Sequence, residues 1–439
     1  MVLIGGDSMN EELEFLKSVG SDAEILEKVN DKFKYSIKKG DVESSLDSVV
    51  KNVQAATTEF LGTHNEYGIP VINAITSSIY IPDAEANNEL YLTFFASGKN
   101  KINERSLFDV ASITKIYTLL LAFRLEELGF FSFQDKIADL NPNFDGLEDF
   151  TVEDIVLLHG EMRTMGNIVG SATESEARKI LNTLYLVNKD RDKNKYTDFG
   201  VIALAETMVR VVSERTKYNH TFKTLFSEYL LEPLCIYPED TVFNPRKEIA
   251  FGNGDDTELV HDPKTRALGN MSGAAGIYTN CRGLATLANR LFSSGRHFDC
   301  YESACTLKQL ESMGRHTYPN SDIPHRGLVG MYLKHPQGGG TFAPSAYSNS
   351  VFSHQGYTGS LAIFDPILKI HNGILVDSVI KGKGKEGYGP NQKPIGFMDA
   401  FNKYEEVITQ ETLVATLVKK YYEKKNKESF TIHKKYIIG

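Results

Sequence analysis

Strand patterns lie at the two ends of this chain and helical patterns fill its middle, and few architectures accommodate that order. Val71 to Ile81 and Leu90 to Ala96 read as strands, parted by the turn-rich Pro82-Asp-Ala-Glu-Ala-Asn-Asn. Ser350 to His354, Ser360 to Phe364 and Lys369 to Val376 read as strands near the other end. From Phe131 to Ser294 the texture is mostly helical, with polar loops expected at Asn141–Gly146, Lys189–Lys195 and Asn253–Gly269. Strands far apart in sequence gain most by pairing with each other. The expected fold is therefore α+β: one antiparallel sheet built from both chain ends, flanked by terminal helices, with a mostly helical domain inserted.

The expected division follows from that pattern. Residues 1–40 form an N-terminal helical extension with apolar positions at Leu13, Leu16, Ile25, Val29 and Phe33. Residues 41–130 with 330–430 form the sheet domain, which includes helices over Val42–Leu61 and Phe397–Tyr422. Residues 131–329 form the helical insertion. A chain of 439 residues is long enough for two or three domains. Its net charge of -9 gives no basic surface for nucleic acid.

The four cysteines, Cys235, Cys281, Cys300 and Cys305, form no Cys-x-x-Cys pair, and no histidine cluster has zinc-ligand spacing. They are expected as buried or free thiols, with a Cys300–Cys305 bridge as the alternative. The N-terminus shows no signal-peptide pattern and no segment is long enough to span a bilayer, so the expectation is a cytoplasmic protein without a membrane partner.

The stretch richest in chemistry is Ser112-Ile-Thr-Lys115. It stands at the head of an apolar segment containing Ile116, Leu119, Leu120, Leu121, Phe123 and Leu125. A helix starting near Ser112 places Ser112 and Lys115 one turn apart on one face, with the hydroxyl at the positive end of the dipole. Ser36–Lys39, Ser48–Lys51 and Ser378–Lys381 repeat the spacing, but on amphipathic or polar ground. A helix that is apolar nearly all round is buried, and a lysine on it needs a partner or a task. An amine one turn away is also what a weakly nucleophilic serine needs.

Two further stretches stand beside it. Tyr196-Thr-Asp198 opens a second apolar helix, and by itself is consistent with an N-cap at Thr197 or Asp198. Phe352-Ser-His354-Gln-Gly356-Tyr-Thr-Gly359 passes from a glycine-punctuated strand into an apolar one, and by itself is consistent with a hairpin turn at Thr358-Gly359. Gly382-Lys-Gly384-Lys-Glu-Gly387 matches a dinucleotide fingerprint, but no helix follows, and a solvated loop is expected.

In this order the three stretches resemble the motif set of the serine β-lactamase and penicillin-binding-protein superfamily, and in particular its class C β-lactamase, D-alanyl-D-alanine carboxypeptidase and related esterase branch. The resemblance extends to Thr151–His159, Val260–Gly269 and Ser272–Gly276 and covers roughly Val42 to Asp377. It implies that Ser112 is the nucleophile of an acyl-enzyme, that Lys115 activates it and that Tyr196 relays the proton to the leaving group. Asp198 would hold Lys115 or a substrate amide, and His354 would line the cleft. The backbone N–H groups of Ser112 and of Tyr357, after Gly356, would form the oxyanion hole.

His354 stands where the β-lactamase pattern has lysine, and Asp198 where it has asparagine. A carboxylate there favours a protonated Lys115, which points to Tyr196 as the working base. The segment His159-Gly-Glu-Met-Arg163 departs from the small-residue turn expected beside the cleft. The implied function is a serine hydrolase acting on an ester or amide, esterase-like or D-amino-acid peptidase-like, with a small-molecule or short-peptide substrate and no metal or cofactor. A non-catalytic binding relative and an acyltransferase are the alternatives.

Overall fold

In the computed structural model of the protein, residues 6–82, 89–98, 101–190, 195–252, 260–292, 328–334, 344–378, 385–426 and 430–438 are described. Cys300, Cys305, Lys381 and Gly382–Gly384 lie outside them, as do residues 191–194 and 253–259 of two expected loops. The chain divides into two compact units: Met1–Glu104 with Lys334–Ser353 and Leu361–Gly439, and Arg105–Leu333 with His354–Ser360.

The first unit holds the sheet. Its strands lie in the order Thr431–Ile438, Glu89–Ser97, Ile72–Ile81, Ile370–Ser378, Leu361–Asp365. The pairing of strands from both chain ends is direct: Ile72–Ile81 runs antiparallel to Ile370–Ser378, with Ile75 opposite Val376 and Ile79 opposite Asn372. The central strands are buried on both faces, so they read as continuous apolar or small-polar runs instead of alternating ones.

The expectation of a wholly antiparallel sheet is corrected at one edge. Thr431–Ile438 adds alongside Glu89–Ser97 in parallel, with Phe94 stacked on Tyr436 at 5.1 Å. The preceding helix, Phe397–Asn426, returns the chain to the same end, which is the crossover that a parallel strand requires.

Helix Val42–Gly62 buries Leu46, Val49, Val53 and Phe60, the spacing of one helical stripe. It packs against Phe397–Asn426, where Tyr404 stacks on Phe60 at 5.3 Å and its hydroxyl reaches Ser77 Oγ at 2.6 Å. Residues 1–40 belong to this unit. They form helices Gly6–Ser18 and Ala23–Ile37, and Lys32 pairs with the buried Glu411 at 2.7 Å. Ser36 and Ser48, of two of the rival Ser-x-x-Lys pairs, hydrogen-bond each other at 2.7 Å.

The second unit centres on helix Thr114–Glu127, of which every residue from Thr114 to Phe123 is buried, and on helix Asp198–Thr216. Its texture is less helical than expected. A four-stranded sheet runs Thr241–Phe243, Ile277–Thr279, Leu107–Asp109, Ala250–Phe251, and the altered segment after His159 forms the strand Gly160–Arg163, paired antiparallel with Tyr185–Lys189. These strands are two to five residues long, too short for a period to be read.

Candidate active site

Every candidate residue lies in the second unit. Ser112 sits not at the start of the α-helix but in the 3-10 turn Ala111–Ile113, and the helix proper begins at Thr114. Ala111 has φ of 44°, a left-handed conformation that costs a non-glycine residue about 1–3 kcal/mol. The buried Asp109 holds this turn. Its two carboxylate oxygens accept the backbone N–H groups of Ala111 and His261, both bonds within 2.9 Å. Its backbone carbonyl accepts the Thr358 hydroxyl at 2.7 Å. One residue thus ties the serine turn to the segment after Val260 and to the His-x-Gly strand.

Lys115 is completely buried. Its ammonium meets Ser112 Oγ at 2.9 Å, the Ala274 carbonyl at 3.0 Å and Asp198 Oδ1 at 2.8 Å. An ammonium has three protons, and these three acceptors are enough to take them all. Burial pushes the Lys115 ammonium towards neutrality, but the Asp198 carboxylate, aided by Tyr196, more than offsets it and holds its pKa well above the ordinary lysine value. Burial also pushes Asp198 upward, and here Lys115 and Lys264 prevail, so its carboxylate is held well below its usual range. The ammonium lies 5.1 Å from the centre of the Tyr196 ring.

Asp198 opens its helix, with Thr197 Oγ1 accepting from Phe199 N at 3.2 Å as the cap. Thr197 is thus the N-cap, and capping leaves the Asp198 carboxylate available to Lys115. The carbonyls that receive the serine helix come from Ser272–Gly276: Gly273 accepts the Thr118 hydroxyl at 2.6 Å and Ala274 accepts Lys115.

His354 is buried and its ring centre is 6.5 Å from that of Tyr196. Its Nδ1 lies 3.0 Å from the Gln355 carbonyl and its Nε2 3.4 Å from that of Val329, which fixes the ring. Gly356 is required where it stands, because a β-carbon there would overlap the carbonyl oxygen of Val110 in the serine turn. The N–H of Gly356 donates to Ser360 at 2.7 Å and that of Gly359 to Gly356 at 2.9 Å, so the expected turn exists as well. Tyr357 is exposed and stacks on His261 at 5.0 Å.

Three contributors escape a reading of the sequence. Asp109 and Lys264 stand inside or beside stretches singled out above but have no assigned role there. Lys264 Nζ meets Asp198 Oδ2 at 2.9 Å. Gly330, with φ of 92°, lies so close beneath the Tyr196 ring that a β-carbon would overlap it, and no local pattern marks it.

Among the described residues no helix is long and apolar enough to cross a membrane, and no group of His, Cys, Asp and Glu could hold a metal ion. Cys235 is half-buried and Cys281 is buried.

Known proteins resemble the chain in sequence and, separately, in fold. N-acetylmuramyl-L-alanine amidase of Bacillus subtilis (strain 168) is 22% identical over 311 residues, covering 63% of this chain and 69% of that protein. A β-lactamase/D-alanine carboxypeptidase of Pseudomonas syringae superposes with a TM-score of 0.58 at 14% identity, over 82% of this chain and 98% of its own. EstCE1, described as a hydrolase with promiscuous acyltransferase activity, superposes with a TM-score of 0.56 at 16% identity, over 81% and 98%. The family model named Beta-lactamase matches residues 80–385, well over half of the sequence, and the chain belongs to that family.

Proposed function

We propose that this protein is a serine hydrolase that cleaves an ester or amide bond in a small molecule or short peptide through an acyl-enzyme on Ser112. The observation that carries the reading is the saturated ammonium of Lys115. It donates to Ser112 Oγ, to a backbone carbonyl and to Asp198, and its pKa is held high. A lysine held charged in this way is a donor to the serine oxygen and a poor acceptor of its proton. It orients the serine oxygen and places a positive charge 5.1 Å from the centre of the Tyr196 ring.

In the proposed sequence Tyr196, its own proton first given up to solvent, removes the Ser112 proton as Oγ bonds to the substrate carbonyl carbon. The backbone N–H groups of Ser112 and Tyr357 receive the developing oxyanion. Tyr196 then returns the proton to the leaving group as the bond to it breaks, and water releases the acyl group by the same steps. Asp198 holds Lys115, and His354 lines the substrate side. Esterase-like or D-amino-acid peptidase-like substrates fit a site whose third motif carries histidine in place of lysine. The names of the similar proteins (an amidase, a β-lactamase/D-alanine carboxypeptidase and a hydrolase with promiscuous acyltransferase activity) accord with cleavage of an acyl bond.

The test is intact-mass measurement after exposure to a fluorophosphonate, a labelled penicillin and an ester panel. One adduct that vanishes in Ser112→Ala is expected. A folded protein that takes no acyl or phosphonyl group from any reagent overturns the reading. Tyr196→Phe should lose at least about 10²-fold in acylation rate; a parental rate in that variant removes Tyr196 as the base.

A further inference from the structure

Asp198 lies between two lysines, not one. Its Oδ1 faces Lys115 at 2.8 Å and its Oδ2 faces Lys264 at 2.9 Å. The two cations differ in setting. The Lys115 side chain has no exposed surface, while that of Lys264 is 25% exposed, beside an Asp198 exposed to 24%. Lys264 is delivered by the short helix Pro263–Ala267, whose N-cap Asp262 accepts the Thr265 N–H at 2.7 Å and its hydroxyl at 2.8 Å. Asp262 is a second carboxylate beside Lys264, but its Oδ2 lies farther off, at 3.6 Å against 2.9 Å for Asp198, and its Oδ1 accepts from Thr265.

This arrangement answers a difficulty in the proposed chemistry. A carboxylate paired with Lys115 alone would cancel the positive field that the ammonium projects onto Tyr196 and Ser112. Two ammoniums sharing one carboxylate leave the group of three with one net positive charge.

We propose that Lys264 is a positioning residue of this site: it neutralises Asp198, so that the charge of Lys115 remains effective at Ser112 and Tyr196. Asp198 and Lys264 then act together as a neutral hydrogen-bonding partner for Lys115. Burial lowers the pKa of Lys264, yet the Asp198 carboxylate, with Asp262 as the smaller contributor, more than offsets it and leaves the value raised. The role rests on the serine-hydrolase reading, but the coupling between the two side chains can be measured without it.

The experiment is a double-mutant cycle on the full chain: parent, Lys264→Met, Asp198→Asn and the double variant, with Lys264→Arg as the conservative control. Loss of Lys264 should lower the acylation rate by about tenfold and move the rising limb of its pH profile upward by about one unit. Lys264→Arg should stay within about threefold of the parent. The double variant has no Asp198 charge left for Lys264 to neutralise, so it should lose less than the product of the two single losses. A parental rate and pH profile in Lys264→Met, or a double variant equal to the product of the two singles, overturns the proposal. Lys264→Gln takes the place of the methionine variant if that chain folds poorly.

If the parent takes no acyl group at all, the hydrolase reading falls. The unfolding temperatures of the same four proteins then decide the coupling. Asp198→Asn should lower the unfolding temperature by different amounts with and without Lys264, and equal shifts in both backgrounds would refute it.

Discussion

Lys115 in the second unit and Lys393 in the first are both buried, and the two are driven in opposite directions. Lys115 in the second unit is held as an ammonium by Asp198, although burial opposes the charge. Lys393 in the first unit is 5% exposed, its ammonium lies 4.5 Å over the Phe397 ring, and burial pushes it down to about 8. A ring face attracts a cation weakly, whereas a carboxylate at contact distance offsets the loss of water. Buried carboxyls repeat the contrast. Lys115 and Lys264 hold Asp198 low although burial raises it, while burial raises Asp109 to about 7 against two backbone donors, and raises Glu405 to about 7. Burial is common to all of these groups; the directions at Lys115 and Asp198 are set by the opposite charges that meet them.

The sharpest way to break that contrast is Lys115→Met. The side chain keeps its length and loses its charge, so Asp198 keeps only Lys264 of its two lysines and Ser112 loses its donor. Acylation should fall by about 10²–10⁴-fold, read by single-turnover labelling in protein whose circular dichroism is unchanged. Retention of more than a tenth of the parental rate would show that the buried cation is structural. Next in size is Gly356→Ala. Its added methyl must push the His-x-Gly strand away from Val110, and a displacement near 1 Å at a reacting centre costs about 10²-fold. An unaltered rate would mean that the strand yields without moving the serine turn.

Asp109→Asn tests a carboxyl that burial raises. Both oxygens of the carboxyl can accept, whether or not it is protonated, but an amide accepts through its oxygen alone. One of the N–H groups of Ala111 and His261 would then face the amide nitrogen, leaving a buried donor unmatched at about 1–3 kcal/mol. Because the folded pKa of Asp109 lies above its unfolded value, its contribution to stability is complete below the ordinary carboxylate range and is lost as pH rises through about 7. The cost of Asp109→Asn should therefore be largest near pH 4 and shrink towards pH 8, measured as the difference in thermal unfolding. A pH-independent difference would show that Asp109 does not titrate in that window.

Those variants also mark what is legible in the sequence. The sheet strands are readable because each is long and bounded by turn residues, as Ile72–Ile81 and Ile370–Ser378 show. Ser112 and Lys115 are readable because a buried helix makes a lysine conspicuous. The edge strand Thr431–Ile438 is not, since its exposed, lysine-bearing pattern resembles a polar tail. The start of the serine helix is hidden as well, because it depends on Ala111 adopting a left-handed conformation that alanine does not favour. Lys264, Gly330 and Asp109 escape for a common reason: each acts on a residue distant in sequence, and only the fold supplies the neighbour.

The smallest effect belongs to Lys393, and its sign is the reverse of the others. Its folded pKa, about 8, lies below the ordinary lysine value of 10.5, so between those values the unfolded chain binds more protons and stability rises with pH. Below about 8 the folded protein carries a buried charge at a cost. Lys393→Met removes that charge and keeps an apolar stem against Phe397, while losing the attraction to the ring, about 0.5–1 kcal/mol. The variant should be more stable than the parent by about 1 kcal/mol at neutral pH, with the gain fading between about pH 8 and 10.5. A loss of stability at neutral pH would instead place Lys393 with Lys115, as a buried cation that its surroundings favour, and the contrast between the two lysines would no longer stand.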